Sequence, residues 1–189
     1  MIYRVAEPAF TAVAIDRLQT ILSTIQLTEE GSNLSQNLIQ NIYPEIEIST
    51  VEETKGMAIF WLSKKDFQSV NPNDNYKSIS FFRINDPIRT SEYFTEVNID
   101  LIVWFNTDKF ILNYRPVKHN IQGLVCSVLN EVSEVSNLSV YTEKQNIFTG
   151  ELQQQNSFSL EAPFTGFRIN FDYKLDTCTD TSFNANIYC

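Results

Sequence analysis

The feature that most constrains the fold is the strict alternation of side chains from Phe167 to Leu175, FRINFDYKL. An apolar residue occupies every odd position of this stretch, and a polar or charged residue occupies every even position. Successive side chains of a β-strand point to opposite faces of the sheet, so a period of two is typical of a strand with one buried face. The stretch therefore predicts a half-buried β-strand.

A longer strand is predicted from Tyr93 to Phe105. One face is apolar throughout and consists of Val97, Ile99, Leu101, Val103 and Phe105. The other face begins with the polar side chains Asn98 and Asp100 and ends with Ile102 and Trp104. We therefore expect the second face of this strand to be covered at one end only.

Two segments have the spacing of amphipathic helices. Apolar residues recur every three or four positions from about Pro8 to Leu27 and again from Val117 to Val132. A shorter apolar set, formed by Leu34, Leu38, Ile39 and Ile42, suggests another helix or turn that ends at Tyr43-Pro44.

Shorter strands are predicted at 45–51, 57–62, 77–84 and 138–141. A Lys55-Gly56 turn is expected before the second of these strands, and Asn85-Asp86-Pro87 is expected to end the third. Segregated helices and strands indicate an α+β fold in two layers, with a mostly antiparallel sheet and both long helices on one face. We assign residues 1–176 to a single domain and residues 177–189 to a polar C-terminal tail.

Charge argues against a protein that grips nucleic acid. The 189-residue chain has a net charge of −9, which repels the phosphate backbone. DNA could still pass through a negatively charged channel of a ring. Glu45 and Glu47, which the alternation places on one strand face, are a candidate for such a lumen.

Residue patterns for catalysis are weak. His119 is the only histidine and is expected to be exposed on its helix, so most Ser-His-Asp and Cys-His arrangements are excluded. The five glycines are isolated, and neither a phosphate loop nor metal-ligand spacing is present. We therefore expect no catalytic, cofactor-binding or metal-binding residues, and we keep a hydrolase with paired carboxylates as a minor possibility.

The cysteines and the N-terminus indicate a soluble product of a reducing compartment. Cys126 falls in an apolar helical pattern and is expected to be a small core residue, whereas Cys178 and Cys189 lie in the polar tail and are expected to be free thiols. No hydrophobic signal region or membrane-spanning stretch is present in the sequence.

Two loops are predicted to be assembly surfaces, at residues 66–76 and 106–116. Both loops are polar but carry aromatic side chains, which are favoured at the centres of protein interfaces. The candidate contact residues are Phe67, Tyr76, Phe110 and Tyr114.

The order of elements resembles that of tail-terminator and tail-completion proteins of tailed bacteriophages, and of related head–tail joining proteins. The resemblance rests on the opening helix AFTAVAIDRLQTIL, on the strand EVNIDLIVWFN with the following helix VKHNIQGLVCSVLNEV, and on the late strand GFRINFDYKL. These parts cover about half of the chain.

The resemblance implies a non-enzymatic ring subunit of a virion, assembled in the cytoplasm of a bacterial host. Its partners would be further copies of the chain and neighbouring virion proteins such as the connector or the tail tube. It implies no cofactor and no membrane, and DNA would at most pass through the lumen. The alternative is a bacterial binding or adaptor module with a cleft between the helices and the sheet.

Overall fold

The computed structural model describes residues 10–28, 35–37, 39–50, 52–63, 66–70, 76–91, 94–110, 117–148 and 160–176. These ranges contain two long helices, α1 (Phe10–Ser23) and α2 (Val117–Asn130), and a short third helix, α3 (Lys144–Ile147). Within the described residues the ten strands are β1 (Gln26–Thr28), β2 (Ser35–Asn37), β3 (Asn41–Glu45), β4 (Glu47–Ile48), β5 (Ala58–Ser63), β6 (Asp66–Ser69), β7 (Ser78–Thr90), β8 (Phe94–Asn106), β9 (Val135–Tyr141) and β10 (Phe164–Asp176).

The centre of the fold is a five-stranded sheet in the order β3-β7-β8-β10-β9. Only the β3–β7 pair is parallel, and the other three pairs are antiparallel. A smaller sheet has the order β4-β5-β6, and β1 pairs with β2. The structure confirms the predicted α+β fold and mostly antiparallel sheet.

The larger core lies between the helices and one face of the five-stranded sheet. Its buried side chains come from α1 and α2 and from the apolar faces of β8 and β10. Ile121, Val125 and Leu129 line α2 at intervals of four residues and have no exposed surface. The expectation that both long helices cover one face is therefore confirmed.

A second core lies on the opposite face of the same sheet. Ile102 and Trp104 of β8 pack there with Ala58 and Phe60 of β5 and with Phe148, which follows α3. The smaller sheet thus forms a partial third layer over one end of the second face. The apolar end predicted for β8 is the end that is covered.

The two long alternating strands are confirmed with small changes in length. They pair along their whole length, from Phe164 opposite Asn106 to Asp176 opposite Phe94. Gly166 allows this pairing, because a Cβ atom at that position would lie 2.7 Å from the carbonyl oxygen of Val103. Here a glycine in the middle of a strand marks a close approach of two backbones.

Several local predictions are wrong in type or extent. The first helix ends at Ser23 and does not continue to Leu27, where β1 has already begun. The helix or turn expected around residues 34–42 is replaced by β2 and β3, and the parallel pairing of β3 with β7 outweighs the local spacing. Pro44 is tolerated inside β3 because β3 is an edge strand. Leu34 and Leu38 lie outside the described residues.

The predicted break at Asn85-Asp86-Pro87 is also wrong, because β7 continues to Thr90. A register shift between Asn85 and Arg89 accommodates the proline within the β7–β8 pair. Part of the predicted loop 66–76 is strand β6, which pairs with β5. The expected turn at Lys55-Gly56 is confirmed by the positive φ of 83° at Gly56.

Candidate assembly surfaces

The end of the second face that lies outside the second core carries a connected group of polar side chains from four adjacent strands. This polar cluster consists of Asn85, Asn98, Asp100, Asn137, Arg168, Asn170 and Asp172. Alternation along each strand directs these side chains to the second face of the sheet. The register of the paired strands then places them next to one another.

Asn98 is the centre of the polar cluster. Its Nδ2 donates to Asp172 Oδ1 at 2.7 Å, and its Oδ1 accepts from Asn85 Nδ2 at 2.9 Å and from Asn170 Nδ2 at 2.7 Å. At the edge of the sheet, Asn137 Nδ2 donates to Asp172 Oδ2 at 2.8 Å. These bonds join four strands through their side chains, which adds to the backbone ladder.

Asp100 is the most buried carboxylate of the polar cluster, with 1% of the residue exposed. Its Oδ2 accepts from Arg168 Nη1 at 3.1 Å, and its Oδ1 accepts from Asn170 Nδ2 at 2.9 Å. The Arg168 guanidinium also lies over the Tyr141 ring, 4.2 Å from its centroid. A buried carboxylate needs a paired cation and further donors, and both are supplied here.

The charges on this end of the face are nearly balanced. The second-face positions of β7, β8 and β10 bring Arg83, Arg168 and Lys174 close to Glu96, Asp100 and Asp172. Lys174 Nζ lies 4.1 Å from the centroid of the Phe94 ring. The polar cluster is therefore not the strongly negative surface that the total charge of the chain suggests.

The outer face of the smaller sheet carries the second surface of interest. Met57 is 48% exposed, and Trp61 and Phe67 are half-buried. Trp61 and Phe67 lie opposite each other on β5 and β6, with ring centroids 5.5 Å apart in an edge-to-face arrangement. We call Met57, Trp61 and Phe67 the aromatic patch; Ile59, between Met57 and Trp61, is itself buried.

The four predicted contact residues are not brought together into one surface. Phe67 belongs to the aromatic patch, while Tyr76 packs against the second core. Phe110 is only 6% exposed and contacts Phe105 in the larger core, so its burial in the monomer already explains an aromatic at that position. Tyr114 lies outside the described residues. An assembly role for these residues stays a prediction.

The shared acidic face predicted for Glu45 and Glu47 is wrong. The chain passes from the larger sheet to the smaller one at Ile46, which is buried in the second core, so the two glutamates lie on different strands of different sheets. A Glu45 carboxylate oxygen accepts from the backbone N–H of Ile84 at 3.1 Å. Glu47 is exposed.

The reactive side chains follow the sequence expectations where they are described. His119 is exposed, as predicted. Cys126 is half-buried against the larger core, and burial raises the pKa of its thiol, which disfavours the reactive thiolate. Cys178 and Cys189 lie outside the described residues.

The described ranges bring together no group of three or more histidine, cysteine, aspartate or glutamate side chains suited to a metal ion. They also contain no helix of the length and hydropathy needed to span a bilayer.

Sequence reasoning missed the polar cluster and the pairing of Trp61 with Phe67. The signal for the polar cluster was present in the even positions of the two alternating strands, but only the register places Asn98 opposite Asp172 and Asn85 opposite Asn98. Trp61 belongs to the continuous apolar run of residues 57–62, and such a run does not indicate which face of the strand is buried.

Comparisons with known proteins give no relative of this chain. No family model, no curated protein and no solved structure matches it.

Proposed function

We propose that this chain is a non-enzymatic structural protein of a bacteriophage virion that forms a ring at the head–tail junction or at the tail end. The observation that carries the proposal is the arrangement of α1, β8, α2 and β10. Both helices cover one face of the paired strands β8 and β10, and these are the elements on which the resemblance to tail-terminator and head–tail joining proteins rests.

The exposed chemistry of the described residues suits protein contacts. Tryptophan and phenylalanine are enriched at interface centres, and the aromatic patch presents both beside an exposed methionine. The polar cluster engages its amides and carboxylates with one another, so it supports a firm sheet more readily than a reactive centre.

The alternative, an adaptor module with a cleft between the helices and the sheet, finds less support. The space between α1, α2 and the sheet is occupied by the larger core, whose members include Leu18, Val125 and Phe171 without exposed surface. A ligand there would have to displace close-packed side chains.

The test is the native mass of the purified full chain by light scattering, followed by negative-stain imaging. A closed particle of several copies is the expected result. A chain that remains monomeric at high concentration, both alone and with connector or tail-tube proteins present, contradicts the proposal.

A further inference from the structure

The two edges of the five-stranded sheet differ in exposure. β3 forms one edge, and its residues 41–43 are buried. β9 forms the other edge, and within the described residues it pairs with β10 alone. Ser136 and Ser139 of β9 are exposed. The β9 edge is therefore the more accessible of the two.

β9 lacks the charges that protect most edge strands. Natural edge strands commonly carry a lysine, a proline or a bulge that prevents pairing with another chain. β9, with the sequence VSNLSVY, contains neither a charged residue nor a proline. Its one protective feature is a bulge at Asn137, where φ is 54°. The bulge lies near the start of the strand, and residues 139–141 pair in regular register with β10.

The backbone of β9 after the bulge directs hydrogen-bonding groups away from β10. The N–H of Lys174 on β10 donates to the carbonyl oxygen of Glu134 at 2.9 Å, so the even positions of β10 are those that bond towards β9. Val140 lies opposite an odd position of β10. Its N–H and C=O, and by the same alternation those of Leu138, point to the open side of the strand.

The exposed segment of β9 is complementary to itself. Leu138 and Val140 lie on the helix side, half-buried against the larger core, whereas Ser139 lies on the opposite side, next to Asn170. Residues directly opposite in an antiparallel pair point to the same face. A second β9 with Ser139 opposite Ser139 therefore places Leu138 opposite Val140, so that apolar side chains meet apolar side chains and no charges meet.

Neighbouring registers fit this segment less well. A shift by one residue would place Ser139 opposite Val140, whose side chain points to the other face. A shift by two would place Leu138 opposite Thr142, whose carbonyl oxygen already accepts a hydrogen bond from Lys118 Nζ at 2.9 Å. The register with Ser139 at the centre avoids both problems.

We propose that β9 of one copy pairs antiparallel with β9 of a second copy about a two-fold axis at Ser139, so that the sheet continues through both copies. Main-chain hydrogen bonds at Leu138 and Val140 supply affinity, and their half-buried side chains lose further exposure. The occupant is a second copy because the segment is complementary to itself and is neutral in a chain of net charge −9. The contact goes beyond the proposed ring, because an isologous contact closes at two copies.

The experiment places charges at the two-fold axis of the full-length chain. Ser139→Lys and Ser139→Glu change an exposed side chain, so the melting temperatures should stay close to that of the wild-type chain. Two copies of either variant would bring like charges directly opposite each other, which opposes pairing. In sedimentation, each variant alone should need at least about a tenfold higher concentration to dimerise than the wild-type chain. The matched control, Ser136→Lys, lies before the bulge on the same strand and should dimerise normally.

An equimolar mixture of Ser139→Lys and Ser139→Glu is the decisive arm. Opposite charges then face each other across the axis, so the mixture should dimerise at least about tenfold more readily than either variant alone. High salt should reduce this difference, because it screens exposed charges.

The outcomes test the β9 pairing separately from the ring. The pairing is overturned if Ser139→Lys associates like the wild-type chain, if the mixture associates no better than its components, or if the wild-type chain stays monomeric at high concentration. Particles larger than two copies that keep their wild-type mass in both charged variants overturn the pairing and leave the ring proposal standing. A wild-type chain that stops at two copies, even with connector or tail-tube proteins present, and that needs Ser139 uncharged, supports the pairing and contradicts the ring.

Discussion

The two faces of β8 differ in how they are covered, although their residues alternate along the same strand. The first face meets α1 and α2 along its length and is uniformly apolar from Val97 to Phe105. The second face is apolar and buried under the smaller sheet at Ile102 and Trp104, whereas it is polar at Asn98 and Asp100. One strand thus takes part in two cores and one hydrogen-bonded network.

The comparison shows two ways in which a sheet face can be stabilised. Where another layer covers it, apolar burial supplies the free energy. Where the smaller sheet does not cover it, side-chain hydrogen bonds between strands take over part of that role, and each net contribution is smaller. The predictions below test this difference, beginning with the largest expected effect.

The helix-covered face should be the least tolerant of charge. Val125→Asp places an unpaired carboxylate among fully buried side chains and should cost at least about 4 kcal/mol in the free energy of unfolding. Ser127→Asp, at an exposed position of the same helix, is the matched control and should cost less than about 0.5 kcal/mol. Urea denaturation followed by circular dichroism measures both; equal stabilities would show that α2 does not pack as described.

The second core should be packed as closely as the larger core. Trp104 is 2% exposed and stacks on Phe164, with centroids 4.6 Å apart. Trp104→Ala should therefore cost about 3–5 kcal/mol, as for other buried aromatic truncations. Phe105→Ala, the neighbouring residue on the first face, should give a loss in the same range. A loss below about 1 kcal/mol for Trp104 alone would mean that the smaller sheet does not cover that end.

The polar cluster should contribute less to the free energy of unfolding than either core. Asn98→Ala removes the central amide and leaves Asn85 and Asn170 without one of their partners, so a loss of about 1–3 kcal/mol is expected. Thermal unfolding measures this effect. Gln145→Ala, an exposed amide that bonds only to its neighbour Glu143 among the bonds described, should be close to neutral. If both substitutions have the same small effect, the cluster adds nothing beyond solvent hydrogen bonding.

The smallest effect should come from the ion pair between Arg17 of α1 and Glu134, which precedes β9. Burial raises the pKa of Glu134, but hydrogen bonds from Ser133 and its own backbone and the charge of Arg17 outweigh it, so the pKa lies below its ordinary value of 4.5. Because the folded-state pKa is lowered, the stabilisation is complete above that ordinary value and is lost as the pH falls through the folded-state pKa.

Arg17→Ala should therefore lower stability at pH 7 by up to about 1 kcal/mol, and the difference from the wild-type chain should shrink towards low pH. Melting curves from pH 7 to pH 3 measure it. A difference that stays constant with pH would assign the loss to the packing of the arginine stem.

Much of the larger core could be predicted from the sequence because it depends on periodicity alone. The odd positions of β8 and β10 and every fourth position of α2 had to share faces once the elements formed. Weak local signals failed where long-range pairing decided the outcome. Residues 41–45 form an edge strand because β7 offers a parallel partner, and a register shift against β8 accommodates Pro87.

The candidate surfaces depended even more on tertiary structure. The sequence predicted the same role, an assembly contact in a loop, for Phe67 and Phe110. In the structure Phe67 lies half-buried beside Trp61, whereas Phe110 is buried beside Phe105. The alternation predicted a shared face for Glu45 and Glu47, but the chain changes sheets between them.

The sequence by itself determined the class of fold, the two long paired strands, the helix-covered core and the uneven second face of β8, because alternating and helical periods are properties of consecutive residues. Only the tertiary structure decided which side chains meet across strands. Register brings Asn98 to Asp172, and the smaller sheet covers Trp104 but leaves Asn98 to its polar neighbours. The physical reason is that strand pairing joins residues about 70 positions apart, and no local pattern encodes which of them become neighbours.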